Sequence, residues 1–302
     1  MESRIDEFVA LLTLLRLRAH DASWNEIAAD VLAAGSATAL LDDLNDEALF
    51  VTPRLAPELE DATVDVRRWT KAGLQWITVL DAAYPSRLLG IRELPPFLFY
   101  EGTLQEPDDG FSVVGTRSPS DWGLRVAEET ARLLVAQGVT VIAGLAAGID
   151  TAAHRIALDE GGRTVAFLGT GVTRTYPAAN HSLQREIAQK GLVLSQFYPD
   201  AQPTRKSFPM RNATMSGYGL ATVVVEAGEH SGTRIQARVA GEHGRPVILT
   251  DRVVENTSWG AALAGRPNVY VAGSIEELAE AVADVRQAPG RLRTALDELV
   301  SG

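Results

Sequence analysis

The 302-residue sequence contains no cysteine. Without thiols the chain can form no disulfide and no cysteine nucleophile, and this composition fits a cytoplasmic protein best. No apolar run reaches the ~20 residues of a membrane span, and the first residues, MESRIDEF, are acidic where a signal peptide is basic. We therefore expect a cytoplasmic protein with no membrane segment and no cleaved leader. The histidines show no spacing typical of metal ligands, so we expect no metal site; they are His20, His154, His181, His230 and His243.

Basic residues are also scarce overall, and the net charge is -11. This excess of acid argues at first against a nucleic-acid partner, but its distribution matters more than its sum. Residues 1–62 hold 13 acidic and 4 basic residues, whereas residues 111–252 hold 12 acidic and 15 basic residues. The acidity therefore belongs mostly to the N-terminal segment, and the central part of the chain can present a basic cleft.

The sequence divides into four segments. In residues 1–62, apolar residues at spacings of three and four predict a small all-α domain, in which Ser23 and Glu26 form a capping box. Residues 63–110 are mixed and predict a connector with an edge strand at FLFYEG. Residues 111–288 form the core, and residues 289–302 a short helical tail.

The core alternates short apolar, β-branched runs with amphipathic helical stretches. Such a pattern is typical of a parallel sheet covered by helices on both faces, and right-handed crossovers make it a Rossmann-like, doubly wound fold. Its predicted strands are FSVVG, TVIAG, TVAFLG, LVLSQF, ATVVVEAG, PVILT and NVYVAG.

Ligands of such sheets bind at the carboxyl ends of the strands. Gly115, Thr116 and Arg117 end the first core strand. Arg117 could bind a phosphate bidentately or form an ion pair at the rim of the sheet. The next strand end carries Asp150 and His154, four residues apart, which could act as acid and base but at this spacing more often form cap and helix-surface contacts. The third, LGTGVTRTYPAANH, is a Gly/Thr loop that we expect in the same crevice.

The segment PTRKSFPMRNATMSGYG combines cations with an aromatic ring and contains no acid. Arg205, Lys206 and Arg211 could bind phosphates of a single-stranded nucleic acid while a base stacks on Phe208, with Asn212 alongside. A solvated loop whose Phe208 packs into the core explains the same residues equally well.

The turn EAGEHSGT leads from a strand into a helix. The first amides of a helix lack intrahelical partners and carry its positive dipole end, so Ser231, Gly232 and Thr233 could hold a phosphate. Ser231 or Thr233 could instead cap the helix and occupy these donors.

Taken together, these segments resemble the DNA-processing protein A family (DprA or Smf), part of the Rossmann-like superfamily that includes the LOG phosphoribohydrolases. The matching segments span about residues 84–255 and occur in the family order: VVGTRSPSDWG, AGLAAGIDTAAH, GGRTVAFLGTGVTRTYPAANHSL, LVLSQFYP, FPMRNATMSGYG and VVVEAGEHSGTRIQARVAGEHGRPV.

The resemblance implies an extended Rossmann fold without catalytic activity or cofactor. It implies binding of single-stranded DNA, a homodimer, and delivery of DNA to the RecA recombinase in natural transformation or recombination. It places the phosphate-binding loops at residues 115–117 and 231–233, and the DNA-facing segment at Lys206, Phe208, Arg211 and Asn212. Ala147, Met210 and Ala213 stand where the family usually has arginine, so we expect weaker DNA binding with a smaller salt dependence.

Two alternatives come from the same residues. A nucleotide sensor or LOG-like nucleotide hydrolase could use the crevice, but LOG proteins carry a glutamate on the helix where this sequence has Gln236, so Glu226 or Glu229 would have to supply the carboxylate. The acidic N-terminal domain could instead dock a basic partner.

Overall fold

The structure is a computed structural model and describes residues 2–18, 21–47 and 52–301. No helix in these ranges is both long and apolar enough to cross a membrane. The helices are α1 (Glu2–Leu17), α2 (Trp24–Ala34), α3 (Ala37–Glu47), α4 (Thr52–Lys71), α5 (Asp121–Ala136), α6 (Ile149–Asp159), α7 (His181–Lys190), α8 (Ser207–Tyr218), α9 (Gly232–Glu242), α10 (Asp251–Asn256), α11 (Ser258–Ala264) and α12 (Ile275–Ser301). Short 3-10 turns lie at Ser86–Gly90 and Ala178–Asn180.

One nine-stranded sheet organises the chain, in the order β1-β2-β6-β5-β4-β3-β7-β8-β9. Strands β3 to β9 are mutually parallel, and β2 is antiparallel to both of its neighbours. This confirms the predicted doubly wound, mostly parallel sheet. The strands are β1 (Gln75–Thr78), β2 (Phe97–Gly102), β3 (Gly110–Val114), β4 (Thr140–Ala143), β5 (Thr164–Phe167), β6 (Leu192–Ser195), β7 (Ala221–Val224), β8 (Val247–Thr250) and β9 (Val269–Ala272).

Helices bury both faces of the sheet. Every residue of β3 to β8 is buried, and successive side chains enter the cores on opposite faces. Val141, for example, packs with α5, α6 and α12, whereas its neighbour Ile142 belongs to the other core. Each fully buried side chain of this size contributes about 1.5–3 kcal/mol, which explains why the strands are continuous apolar runs.

The N-terminal region is helical as predicted, and its capping box is present. Ser23 Oγ accepts a hydrogen bond from the Glu26 amide at 3.3 Å, and Glu26 Oε2 accepts one from the Ser23 amide at 2.7 Å. The bonds from Ser23 lower the pKa of Glu26. Gly35 ends α2 with a φ of 72°, a conformation that glycine adopts without strain.

Two of the expected segment limits fall inside helices. α4 crosses the 62/63 limit, and α12 continues through residues 288–289 to Ser301, so the expected tail is helical and continuous with the last helix of the core. Phe8 of α1 stacks on Trp76 of β1 with ring centroids 4.4 Å apart, so the N-terminal helices share a core with the sheet edge. We propose residues 72–74, between α4 and β1, as the better limit.

The direction of winding reverses between β3 and β7. From β3 the chain builds β4, β5 and β6 on one side, and β7, β8 and β9 lie on the other. The loops that leave β3 and β7 therefore diverge and open a crevice at the carboxyl ends of these strands.

Candidate nucleic-acid interface

The crevice at the ends of β3 and β7 has a volume of about 510 Å³. It collects residues from four separate parts of the sequence: the loop after β3, the segment from the loop after β4 into α6, the first half of α8, and the turn before α9 with the start of that helix. The predicted site residues that line it are Gly115, Thr116, Arg117, Arg211, Asn212, Ser231, Gly232 and Thr233.

The remaining predicted residues lie at the start of α8. Phe208 is half-buried and lines a smaller adjoining cavity. Arg205 and Lys206 are exposed just before the helix and line neither cavity. The segment is therefore a helix from Ser207 onward, and the alternative of a solvated loop was wrong for this part of it.

Hydrogen bonds join the two loops that form the crevice. The Thr116 amide donates to the Glu226 carbonyl at 2.7 Å, and Thr233 Oγ1 donates to the Gly115 carbonyl at 3.3 Å. A Cβ on Gly115 would lie 2.8 Å from the Glu226 carbonyl oxygen and 2.6 Å from Ile149 Cγ1. Only glycine fits at position 115, because the loops after β3 and β7 approach each other closely there.

The start of α9 is partly capped from within. Ser231 Oγ accepts a hydrogen bond from the Thr233 amide at 3.1 Å, as the capping alternative predicts. The Gly232 amide has no hydrogen-bond partner among the described residues and lies in the crevice wall. The helix start thus keeps one unoccupied donor at its positive end.

Both glutamates of this turn cap other helices. Glu226 Oε2 accepts hydrogen bonds from the amide and hydroxyl of Ser120, at the start of α5, at 3.0 and 3.2 Å. Glu229 accepts them from the amide and hydroxyl of Ser258, at the start of α11, which lowers the pKa of Glu229. Their carboxylates therefore have structural partners.

The buried, charged side chain of Arg211 lines the base of the crevice. Its side chain is only 4% exposed, and Nη1 donates to the Phe167 carbonyl at 2.8 Å. Burial lowers the pKa of Arg211 to about 10, against the opposing effect of nearby Asp150. The guanidinium thus stays protonated at neutral pH. It occupies the space beside Gly144, where a Cβ would lie 1.5 Å from Nη1.

Arg117 is a second cation in the crevice wall, and its side chain is exposed at the surface. It forms no ion pair with any carboxylate in the described ranges, so the alternative of a rim ion pair was wrong. Its guanidinium carbon lies 5.2 Å from the centroid of the Phe208 ring. Arg117 lies close enough to Arg211 that its charge disfavours the protonated form of Arg211, an effect that an anion bound nearby would oppose.

Asp150 and His154 do not form a pair. Asp150 Oδ2 accepts hydrogen bonds from the Gly144 and Ala146 amides at 2.9 and 3.3 Å, and burial raises its pKa. His154 Nδ1 lies 2.7 Å from Thr164 Oγ1. Both side chains are buried, so the expected helix-surface position was wrong, and nothing in this geometry joins them as acid and base.

Tyr176 is a residue of this site that the sequence did not single out. It lies in the Gly/Thr loop after β5, is 44% exposed, and its ring centroid is 5.5 Å from that of Phe208. The only signal was its position in LGTGVTRTYPAANH, the loop that we expected in the same crevice.

The positions where arginine was expected differ in their surroundings. Ala147 is exposed and lines the smaller adjoining cavity, Met210 is exposed on α8, and Ala213 is buried in α8. Within the described part of the chain, no group of three or more His, Asp or Glu residues could hold a metal ion. His20 lies outside the described residues.

Comparison with known proteins places this architecture in a family. Residues 75–283 match the family model of DNA recombination-mediator protein A. Protein Smf of Synechocystis sp. is 41% identical over 179 residues, which cover 58% of this chain and 45% of that protein. DNA processing protein DprA of Streptococcus pneumoniae is 40% identical over 172 residues, 57% of this chain and 61% of that protein. The matched region thus spans about half of these relatives.

Solved structures agree. The X-ray structure of DNA processing protein A from Streptococcus pneumoniae superposes with a TM-score of 0.67 at 27% identity, over 91% of this chain and 95% of that one. DNA processing protein A from Helicobacter pylori superposes with a TM-score of 0.62 at 23% identity, over 70% of this chain and 96% of that one, which shows a shared fold. Because the family model covers more than half of its length, the chain belongs to the DNA recombination-mediator protein A family.

Proposed function

We propose that the protein binds single-stranded DNA in the crevice between β3 and β7 and acts without catalysis. The observation that carries this proposal is the convergence of Arg117 and Arg211 with the positive end of α9 on one groove. A backbone of phosphates gives these cations and the Gly232 amide the anions that they lack. The exposed Arg205 and Lys206 extend the positive surface toward α8.

The relatives support a role in DNA processing. The Streptococcus pneumoniae relative is named DNA processing protein DprA, and the Synechocystis relative is named Protein Smf. The Helicobacter pylori structure describes the single-stranded DNA binding mode of that protein. We infer for this chain a cytoplasmic role in DNA uptake, natural transformation or recombination. Protection of single strands, loading of RecA and a homodimer are further proposals that rest on family resemblance.

A nucleotide hydrolase or sensor is the weaker candidate. Hydrolysis needs a carboxylate positioned at the reacting bond. Glu226 and Glu229 instead cap α5 and α11, and the helix position where LOG proteins have glutamate is occupied by the buried Gln236. The crevice thus offers cations and amides for binding but no free glutamate.

The test is a fluorescence-anisotropy titration of the full chain with a long oligo-dT at two salt concentrations. We expect binding at low salt that weakens as salt rises, since each phosphate contact on a single strand contributes a slope of about -0.7 in log K against log salt. No binding at low salt, or binding that salt does not change, would refute the proposal.

A further inference from the structure

A second cavity of about 170 Å³ adjoins the crevice. The two cavities share Arg117, Ala146 and Arg211 in their walls. The aromatic side chains of Tyr176 and Phe208 also line the smaller one. A cavity of roughly 150 Å³ holds a benzene ring, so this space is large enough for one flat ring.

The ring of Phe208 is half-buried and contacts protein groups on several sides. A Cβ on Gly169 would lie 2.7 Å from Phe208 Cδ1, so the ring packs directly on the backbone there. The Arg117 guanidinium lies over the ring, and the Tyr176 ring contacts it at a tilt of 48°. Little of its surface is left for a ligand to stack on.

Tyr176 has the free aromatic surface. Its side chain is 44% exposed, and its hydroxyl has no hydrogen-bond partner among the described residues. The Phe208 ring contacts the Tyr176 ring at a centroid distance of 5.5 Å, and both rings line the cavity. An exposed ring next to two cations matches the stacking surfaces of proteins that bind single strands.

We propose that Tyr176 is the residue on which a nucleobase stacks, with the base in the 170 Å³ cavity and its phosphate in the crevice. This inference rests on the proposed function. The walls shared by the two cavities place base and phosphate side by side, as they are in one nucleotide. Stacking recognises the flat face that all bases share, so the site accepts any base and not a particular sequence.

The test compares two single strands of equal length, oligo-dT and a fully abasic oligomer that keeps the phosphates without the bases. Wild-type protein, Tyr176→Ala and Tyr176→Phe are titrated with both. We expect the wild type to prefer oligo-dT. We expect Tyr176→Ala to bind oligo-dT about fivefold or more weakly with the same affinity for the abasic strand, and Tyr176→Phe to keep the preference.

Each other outcome has a separate meaning. If Tyr176→Ala keeps the wild-type preference for oligo-dT, another residue stacks the base and the inference is wrong. If the wild type binds both strands equally, stacking is refuted while phosphate binding stands. If the wild type binds neither strand at low salt, the proposed function itself fails. Equal thermal midpoints of the variants verify that the fold is unchanged.

Discussion

Arg211 shows how single residues shape this site. A buried guanidinium is costly unless something stabilises its charge, and here Nε has no partner among the described residues. Gly144 leaves the space that the side chain occupies, and Asp150 lies near enough to favour its protonated form. An anion bound in the crevice would therefore stabilise the buried charge of Arg211.

His154 is a second buried polar residue, and it should make the fold sensitive to acid. Burial lowers its pKa to about 3, so the native protein holds it neutral while the unfolded chain titrates near 6.5. The unfolded state then binds more protons at low pH, and stability that is present above pH 6.5 is lost as pH falls toward 3.

We expect His154 to reduce the free energy of unfolding by about 2 kcal/mol between pH 7 and pH 5. His154→Asn should lack this part of the pH dependence, since asparagine does not titrate. Urea midpoints at the two pH values measure it, and His181→Gln, at an exposed position, is the matched control. A wild-type pH dependence in His154→Asn would contradict this role.

At the scale of elements, side chains from distant loops hold the helix starts. Glu226 lies after β7 but bonds to Ser120 at the start of α5. A Cβ on Gly123 would lie 1.9 Å from Glu226 Oε2, so the first turn of α5 is built around this carboxylate. The turn before α9 and the helix after β3 are therefore one structural unit.

Glu226→Ala should destabilise the protein by about 1 kcal/mol, the typical cost of a lost helix cap. Urea denaturation measures this loss. Glu242→Ala is a control on an exposed ion pair with Arg238 and should cost less. Neither variant should differ from the wild type in release of free base from nucleoside monophosphates. Base release by the wild type that is lost in Glu226→Gln would instead favour the hydrolase.

The sequence predicted those elements whose pattern is local. The core strands were predicted because each is a short apolar run, and β3 to β8 are buried along their whole length. FLFYEG was correctly predicted as a strand, but its expected edge position was wrong, because β2 lies between β1 and β6. β1 was missed because QWIT contains only two apolar residues, Trp76 and Ile77, and is defined by its pairing with β2. The start of α8 was left open because cations and Pro209 obscure its helical pattern.

Within the site, backbone loops were predictable and side-chain surroundings were not. Glycines and hydroxyls at strand ends indicated the crevice, since parallel strands bring their carboxyl ends to one edge. Burial of Arg211 and the position of Tyr176 beside Phe208 depend on how α8 packs against the loop after β5. No local pattern encodes such a contact between distant segments.

At the scale of the molecule, Asp108 ties the amino-terminal edge of the sheet together. Its side chain is 1% exposed and accepts hydrogen bonds from Thr140 Oγ1 at 2.6 Å and from the Tyr218 hydroxyl at 2.7 Å. Arg163 donates to the same carboxylate through Nε and Nη2. Burial, followed by the charge of Asp108, raises the pKa of Tyr218.

Replacement of Asp108 should therefore affect the whole fold. Asp108→Asn leaves Arg163 without its charged partner, and breaking such a buried pair costs about 3 kcal/mol. Urea denaturation measures the change. Asp109→Asn is the matched neighbour, since Asp109 is exposed and pairs with Arg87 at 3.3 Å, and it should cost less than about 1 kcal/mol. Equal losses in the two variants would contradict the central place of Asp108.

If DNA phosphates bind at the crevice between β3 and β7, the salt dependence of binding should depend on the cations that line it. The most direct measurement is the salt dependence of oligo-dT binding by the wild type, Arg117→Ala and Arg266→Ala. Arg266 is also exposed, but it precedes β9, which is an edge strand of the sheet, and it therefore lies at the amino-terminal end of that strand, away from the crevice. We predict that Arg117→Ala weakens binding and reduces the slope of log K against log salt by about 0.7, while Arg266→Ala matches the wild type. Equal slopes for Arg117→Ala and the wild type, or an equal loss in both variants, would contradict the claim.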